Sequence, residues 1–142
     1  MRTILLIAIL SIYSPLAFAT CGSKTIFLSG VAVQLDNRPA ADVLVGVAWK
    51  EDGVIGGPAM AKSDSEGRYS IPIKFQTYSS TPGKSWYECK GQLKEVMVSA
   101  YDDTHYAPPI PVHVPEDASH VEASPLKLSF DISTGVPIES GG

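Results

Sequence analysis

Three histidines, His105, His113 and His120, fall in the last third of the chain, beside Asp102, Asp103, Glu116 and Glu122. Imidazoles flanked by carboxylates are the donor set of a divalent-metal site. His113 and His120 bracket the turn-forming stretch Pro115-Glu116-Asp117-Ala118-Ser119, so a hairpin there would bring the two rings towards each other. The alternation of Ile110, Val112 and Val114 puts His113 on the opposite face of its strand, towards solvent. Side chains so placed are more often solvated than ligating. The surface reading is preferred, His113 and His120 are kept as candidate metal ligands, and no cofactor is expected.

A second candidate site is aromatic. Tyr78, Trp86 and Tyr87 lie in the long polar segment Gln76 to Gly91. Aromatic rings on a loop carried by a rigid scaffold can stack on sugars or anchor a protein partner. Packing of Trp86 over an open end of the core is the competing role, and the preferred one. Asp64 and Glu66 beside a tight turn supply too few oxygens for calcium. Ser79, Ser80 and Ser85 lack the Gly-x-Ser-x-Gly elbow that exposes a nucleophile. No catalytic residue is assigned.

The elements that must position these groups begin after an export signal. Met1-Arg2 carries one positive charge, Ile4 to Leu10 is uninterruptedly apolar, and Ala17-Phe18-Ala19 is a small-x-small triplet. That order reads as a secretory signal over residues 1–19, cleaved after Ala19, for a secreted or periplasmic protein. Attachment of lipid to Cys21 is the rival processing route, but Thr20 and Phe18 stand where such signals place a small residue and a leucine. The chain has 142 residues, 44% of them hydrophobic, and a net charge of −4, which loss of Arg2 takes to −5. One domain follows from the length, and the acidic balance argues against a nucleic-acid partner. No stretch after the signal is long and apolar enough for a membrane span. Cys21 and Cys89 are the two cysteines, and in an oxidising compartment a disulfide between them is the default expectation. Closing so long a loop would contribute on the order of 4 kcal/mol by chain entropy.

Beyond the signal the pattern is one of strands. Thr25 to Leu35 alternates around Ile26 and Leu28, with Gly30 marking a bulge or a close backbone approach. Val43, Val45, Val47 and Trp49 share one face, while Leu44, Gly46 and Ala48 on the other are apolar enough to be partly covered. Gly53 to Pro58 reads as a connection and Ala59 to Ser63 as a short strand. Tyr69, Ile71 and Ile73 form a face after the turn Asp64-Ser65-Glu66-Gly67. Val96, Val98 and Ala100 form another, and Leu126, Leu128 and Phe130 the last strand. Ile132 to Gly142 has no pattern, so a domain over 20–131 with a flexible tail over 132–142 is expected. About seven short strands with regular turns point to an all-β antiparallel sandwich.

The series Gly30-Val31, Arg38-Pro39-Ala40-Ala41-Asp42-Val43-Leu44-Val45 and Ser63-Asp64-Ser65-Glu66-Gly67-Arg68-Tyr69 resembles the carboxypeptidase regulatory-like domain. That domain belongs to the transthyretin-like (prealbumin-like) group of sandwiches. The resemblance covers Lys24 to Tyr101 by motif, and Tyr106 to Phe130 by strand count. It implies a β-sandwich in which Asp64, Gly67 and Tyr69 form a structural turn motif. Two enzymatic relatives are set aside. The purine-pathway hydrolase ends in Tyr-Arg-Gly-Ser, whereas this chain ends Ile138-Glu139-Ser140-Gly141-Gly142. The intradiol dioxygenases need a His-x-His iron site, which Tyr101, Tyr106, His105 and His113 do not reproduce. The expected function is a non-enzymatic binding or structural module with a protein or glycan partner in the envelope or extracellular space. The alternatives are a metal- or carbohydrate-binding protein using the histidines or the aromatic loop, and an envelope protein anchored through Cys21.

Overall fold

The computed structural model describes residues 20–51, 54–79, 89–91 and 93–139, with the backbone alone at 20, 21, 54, 78, 79 and 89–91. The chain is all-β, with ten strand segments among the described residues. They are β1 (Thr20–Val33), β2 (Leu44–Glu51), β3 (Val54–Lys62), β4 (Arg68–Ser79), β5 (Cys89–Gly91), β6 (Leu93–Tyr101), β7 (His105–Val112), β8 (His120–Glu122), β9 (Leu126–Lys127) and β10 (Phe130–Asp131). One sheet runs β5-β4-β1-β8, with β9 also paired to β1; the other runs β10-β7-β6-β2-β3. Among the described residues no helix is long and apolar enough to cross a membrane.

Period-two alternation decides which side chains meet between the sheets. In the β1–β4 register Ile26 pairs with Ile73, Leu28 with Ile71 and Gly30 with Tyr69. Across from them lie Val45, Val47 and Trp49 of β2 and Val96, Val98 and Ala100 of β6, all in one core cluster. Each fully buried aliphatic side chain of this set contributes about 1.5–3 kcal/mol of hydrophobic stabilisation. Pro72 sits where β4 is an edge, because β5 covers only Thr77 to Ser79. A residue without an N–H is tolerated there.

Two elements differ from the sequence pattern. First, β3 starts at Val54, where a glycine-rich connection is expected, and pairs Ile55 with Lys50 and Gly56 with Trp49. A Cβ at Gly56 would run into the Trp49 indole, so the glycines are what let this backbone close over the ring. Second, the run Leu126, Leu128, Phe130 is not one strand. β9 lies parallel to β1 in the first sheet, and β10 lies antiparallel to β7 in the second. Leu126 and Leu128 stay in the core, while Phe130 stacks on Tyr106 with ring centroids 5.3 Å apart. Alternation specifies the side on which a residue is buried, not the sheet that supplies its neighbours. The outer face of β2 is partly covered, as its apolar residues suggest: Leu44 and Gly46 are half-buried and Ala48 is exposed.

Residues 132–139, read as tail, are tied down by hydrogen bonds. Ile132 N donates to Thr104 O at 2.9 Å, Gly135 N to Asp131 O at 2.8 Å and Ile138 N to Ser129 O at 2.8 Å. The Asp131 carboxylate accepts from Ser133 Oγ and from the amides of Ser133 and Thr134, which holds its pKa below the usual range.

Candidate functional site

The turn between β3 and β4 is the local structure on which the site is built. Asp64 Oδ1 accepts from the amides of Glu66 and Arg68, both at 2.9 Å, and the Gly67 amide donates to Asp64 O at 3.0 Å. Gly67 has φ +75°, and a Cβ there would collide with the Ala32 carbonyl. Only glycine meets both requirements. Ser63, 3% exposed, ties the same turn inward: its Oγ donates to Ala40 O at 2.6 Å and accepts from Val43 N at 3.0 Å.

Tyr69 follows the turn and is 4% exposed, its ring lying where a Cβ on Gly30 would be. The close approach foreseen at Gly30 is therefore the contact with this ring. The Tyr69 hydroxyl is buried with no hydrogen-bond partner among the described residues. Burial pushes its pKa from 10 up to about 12.

On the outward side of these strands runs an open groove of about 500 Å³. Ser29 and Val31 of β1, Arg68 and Ser70 of β4, Glu122 of β8, Lys62 and Asp64 line it, with Gly30 and Tyr69. The strand β8 brings its residues here by pairing parallel to β1, Phe27 opposite His120 and Ser29 opposite Glu122. Ser29 Oγ lies 2.6 Å from His120 Nε2, a contact between residues 91 apart in sequence. Phe27, two residues before Ser29 on the same outward face, is 48% exposed. The charges cancel: Lys62 and Arg68 stand against Asp64 and Glu122. Arg68 also pairs with Glu66 at 2.5 Å, an exposed ion pair of small energetic weight.

A serine hydroxyl on an imidazole is the first element of a nucleophile–base pair. The triad logic also needs a group that orients the ring and donors aimed at a developing oxyanion. Among the described residues His120 bonds only to Ser29. What the arrangement offers is a surface of hydroxyl, imidazole, carboxylate and ammonium groups beside an exposed ring, suited to holding a polar ligand.

The histidines singled out as metal ligands are not gathered into a site. His113 directly follows β7 of one sheet, whereas His120 opens β8 of the other. Among the described residues no group of three or more His, Cys, Asp or Glu side chains is placed to hold a metal ion. Tyr101 and Tyr106 are cross-strand partners next to His105, but His113 lies past the far end of β7, roughly 25 Å along the strand. His105 Nδ1 is 2.9 Å from Thr104 Oγ1.

A second concavity, of about 570 Å³, is bordered by Asp42, Leu44, Lys62, Tyr101, Asp102 and Asp103. There the Asp102 carboxylate serves its own turn, accepting from Thr104 N at 2.8 Å and His105 N at 2.7 Å. Burial works to raise its pKa, but these donors outweigh it and the net shift is downward. Trp86 and Tyr87, and the side chains of Tyr78, Cys21 and Cys89, lie outside the described residues, as does the signal over 1–19.

Sequence reasoning did not single out Phe27, Ser29, Lys62, Arg68 and Glu122 as a group, and His120 was chosen for a different chemistry. One signal was available: period two puts Phe27 and Ser29 on the outward face of β1, opposite Ile26 and Leu28.

The sequence matches no protein-family profile and no curated protein. Fourteen solved chains match in structure. A 9R-lipoxygenase from Cyanothece PCC8801 is similar with a TM-score of 0.50 and 11% identity, over 83% of this chain and 19% of that one. Catechol 1,2-dioxygenase from Acinetobacter sp. ADP1 gives 0.46 and 11%, over 84% of this chain and 57% of that one. Chlorocatechol 1,2-dioxygenase from Pseudomonas putida gives 0.44 and 9%, over 74% and 61%. The chain thus spans about a fifth of the lipoxygenase and under two thirds of each dioxygenase. At such identity the likeness to the lipoxygenase concerns fold alone, and the weaker two carry no functional argument.

Proposed function

We propose that this chain is an exported, transthyretin-like β-sandwich of the carboxypeptidase regulatory-like kind that acts as a non-enzymatic binding module. In this reading residues 1–19 are a cleaved signal, Cys21 and Cys89 form a disulfide, and the groove beside Ser29 is the binding surface. The observation that carries it is the convergence around one groove of Ser29, of Lys62 and Arg68 from the hairpin over 62–68, and of Glu122, three separate stretches of sequence. The turn Asp64-Gly67-Tyr69 supports the family assignment, since its hydrogen bonds and its φ > 0 glycine are what the motif residues are suited to form. The lack of any group orienting His120 among the described residues favours binding over acyl transfer.

The test is recovery of the protein from the culture medium or envelope of cells expressing the full chain. Wild type and a Arg68→Ala/Glu122→Ala variant are compared by intact mass and by mass spectrometry of co-eluting material. The expected result is a chain starting at Thr20, lighter by two hydrogens, with bound material that the variant loses. A diacylglycerol mass on Cys21 would instead establish the anchored alternative. Identical material on both proteins would remove the groove from the reading.

A further inference from the structure

The groove mixes both signs of charge, and that restricts what it can hold. A phosphate or carboxylate entering it meets Asp64 and Glu122, and a cationic ligand meets Lys62 and Arg68. The Arg68 guanidinium is already paired with Glu66. With Glu66 beside Arg68 the local charges leave a small negative excess, so an anion is disfavoured, while a cation meets both Lys62 and Arg68. The remaining polar groups have complementary roles: the Glu122 carboxylate, without a partner among the described residues, can only accept, Lys62 can only donate, and the Ser29 hydroxyl can do either. A ligand that satisfies such a set carries several neighbouring hydroxyls, each both donor and acceptor.

Phe27 adds an apolar requirement. Its ring, half-exposed on the same face, is directly opposite His120 and about 7 Å along β1 from Ser29. A flat molecule with an apolar C–H face and a hydroxylated edge can cover Phe27 while its edge reaches Ser29 and His120. We propose that the Ser29 end of the groove and the sheet face adjoining it bind a neutral saccharide, with one sugar ring laid on Phe27 and its hydroxyls bonded to the Ser29–His120 pair and to Glu122. The inference rests on the binding-module reading and names its ligand class. The rings carrying it belong to the sheet face, and none comes from the segment that holds Trp86.

The test titrates the purified protein with hexasaccharides of α-1,4-glucose, β-1,4-glucose and β-1,4-N-acetylglucosamine. Amide chemical shifts of residues 27–30 and 120–122 are followed, and sedimentation with insoluble cellulose and chitin separates free from polymeric sources. At least one saccharide should shift those amides. Phe27→Ala should weaken its binding about tenfold and Glu122→Gln severalfold, while Phe27→Tyr retains it. Both altered side chains are solvent-exposed, and a thermal melt checks that each variant is folded. Saccharide binding unchanged by Phe27→Ala and Glu122→Gln would overturn the inference, as would inorganic phosphate shifting the same amides in place of every sugar. If no saccharide binds while Arg68→Ala/Glu122→Ala still loses co-purified material, the ligand class fails and the groove reading stands. If that dependence is absent as well, both fail.

Discussion

The two sheets meet through apolar inner faces and differ in their outer ones. Outside the first sheet, Phe27 lies opposite His120 and two residues from Ser29, which with Glu122 and Arg68 borders the groove further along β1. Outside the second, the neighbours across the β3-β2-β6 strands are Met60, Gly46 and Ser99, and then Ala48 and Met97. Its flank carries one exposed ion pair, Lys50 Nζ to Glu95 Oε2 at 2.6 Å. Apolar exposure alone does not separate these faces, since Met60 at 46% is as accessible as Phe27 at 48%. The second face has a polar concavity of its own, bordered by Asp42, Lys62, Asp102 and Asp103; what distinguishes the first is a hydroxyl–imidazole contact between distant segments, Ser29 to His120, next to an exposed aromatic ring.

The sharpest way to break this contrast is at Gly67, whose turn carries Asp64 and Arg68 to the polar face. Gly67→Ala should cost about 2–4 kcal/mol, since it combines a φ > 0 residue with a clash against the Ala32 carbonyl. Denaturant melts should show it as a lower midpoint with an unchanged slope. A loss under about 0.5 kcal/mol would mean that the turn does not hold the groove.

A smaller effect is expected beneath the same face, at Tyr69. Its pKa is raised in the folded state to about 12, so folding favours the neutral phenol. The stabilisation is full below pH 10, where the unfolded side chain is also neutral, and is lost as pH rises towards the folded value. On the order of 2 kcal/mol should disappear between about pH 10 and 12, in excess of the loss shown by Tyr69→Phe. Equal alkaline slopes for the two proteins would place the hydroxyl in contact with solvent. At neutral pH Tyr69→Phe should be close to neutral in stability, because the hydroxyl it removes makes no bond among the described residues.

The smallest effect belongs to the apolar face. A Cβ at Gly46 meets nothing within 4 Å, so Gly46→Ala should change stability by less than about 1 kcal/mol, with a stabilising sign favoured by the reduced freedom of the unfolded chain. It should also leave ligand binding untouched. A large loss, or a change in oligomeric state measured by light scattering, would show that this face is covered and would reverse the comparison.

The inner faces were readable because alternation is local. Ile26, Leu28, Ile71, Ile73, Val96 and Val98 announce themselves by period two, and all are buried. The Asp64–Gly67 turn was readable for a related reason, since the donors, the acceptor and the glycine lie within five residues. The groove was not. Its central contact joins Ser29 to His120 through a three-residue parallel strand, too short to show a pattern and paired across most of the chain. Gly56 and Gly57 were misleading because glycine signals both a linker and a strand that passes close to a large ring, and only the position of Trp49 tells them apart. Leu126 and Leu128 kept their burial while the run passed from one sheet to the other, and Phe130 ended half-buried against Tyr106.

The place of β1 in its sheet has a consequence for the order of assembly. It is the earliest strand of the described chain, yet one of its sides is closed by residues 120–122 and 126–127, close to the other end. Until that last part is made, a flank of the first strand has nothing to pair with. The chain is therefore committed to finishing late, with a long loop to close before its earliest segment is secured.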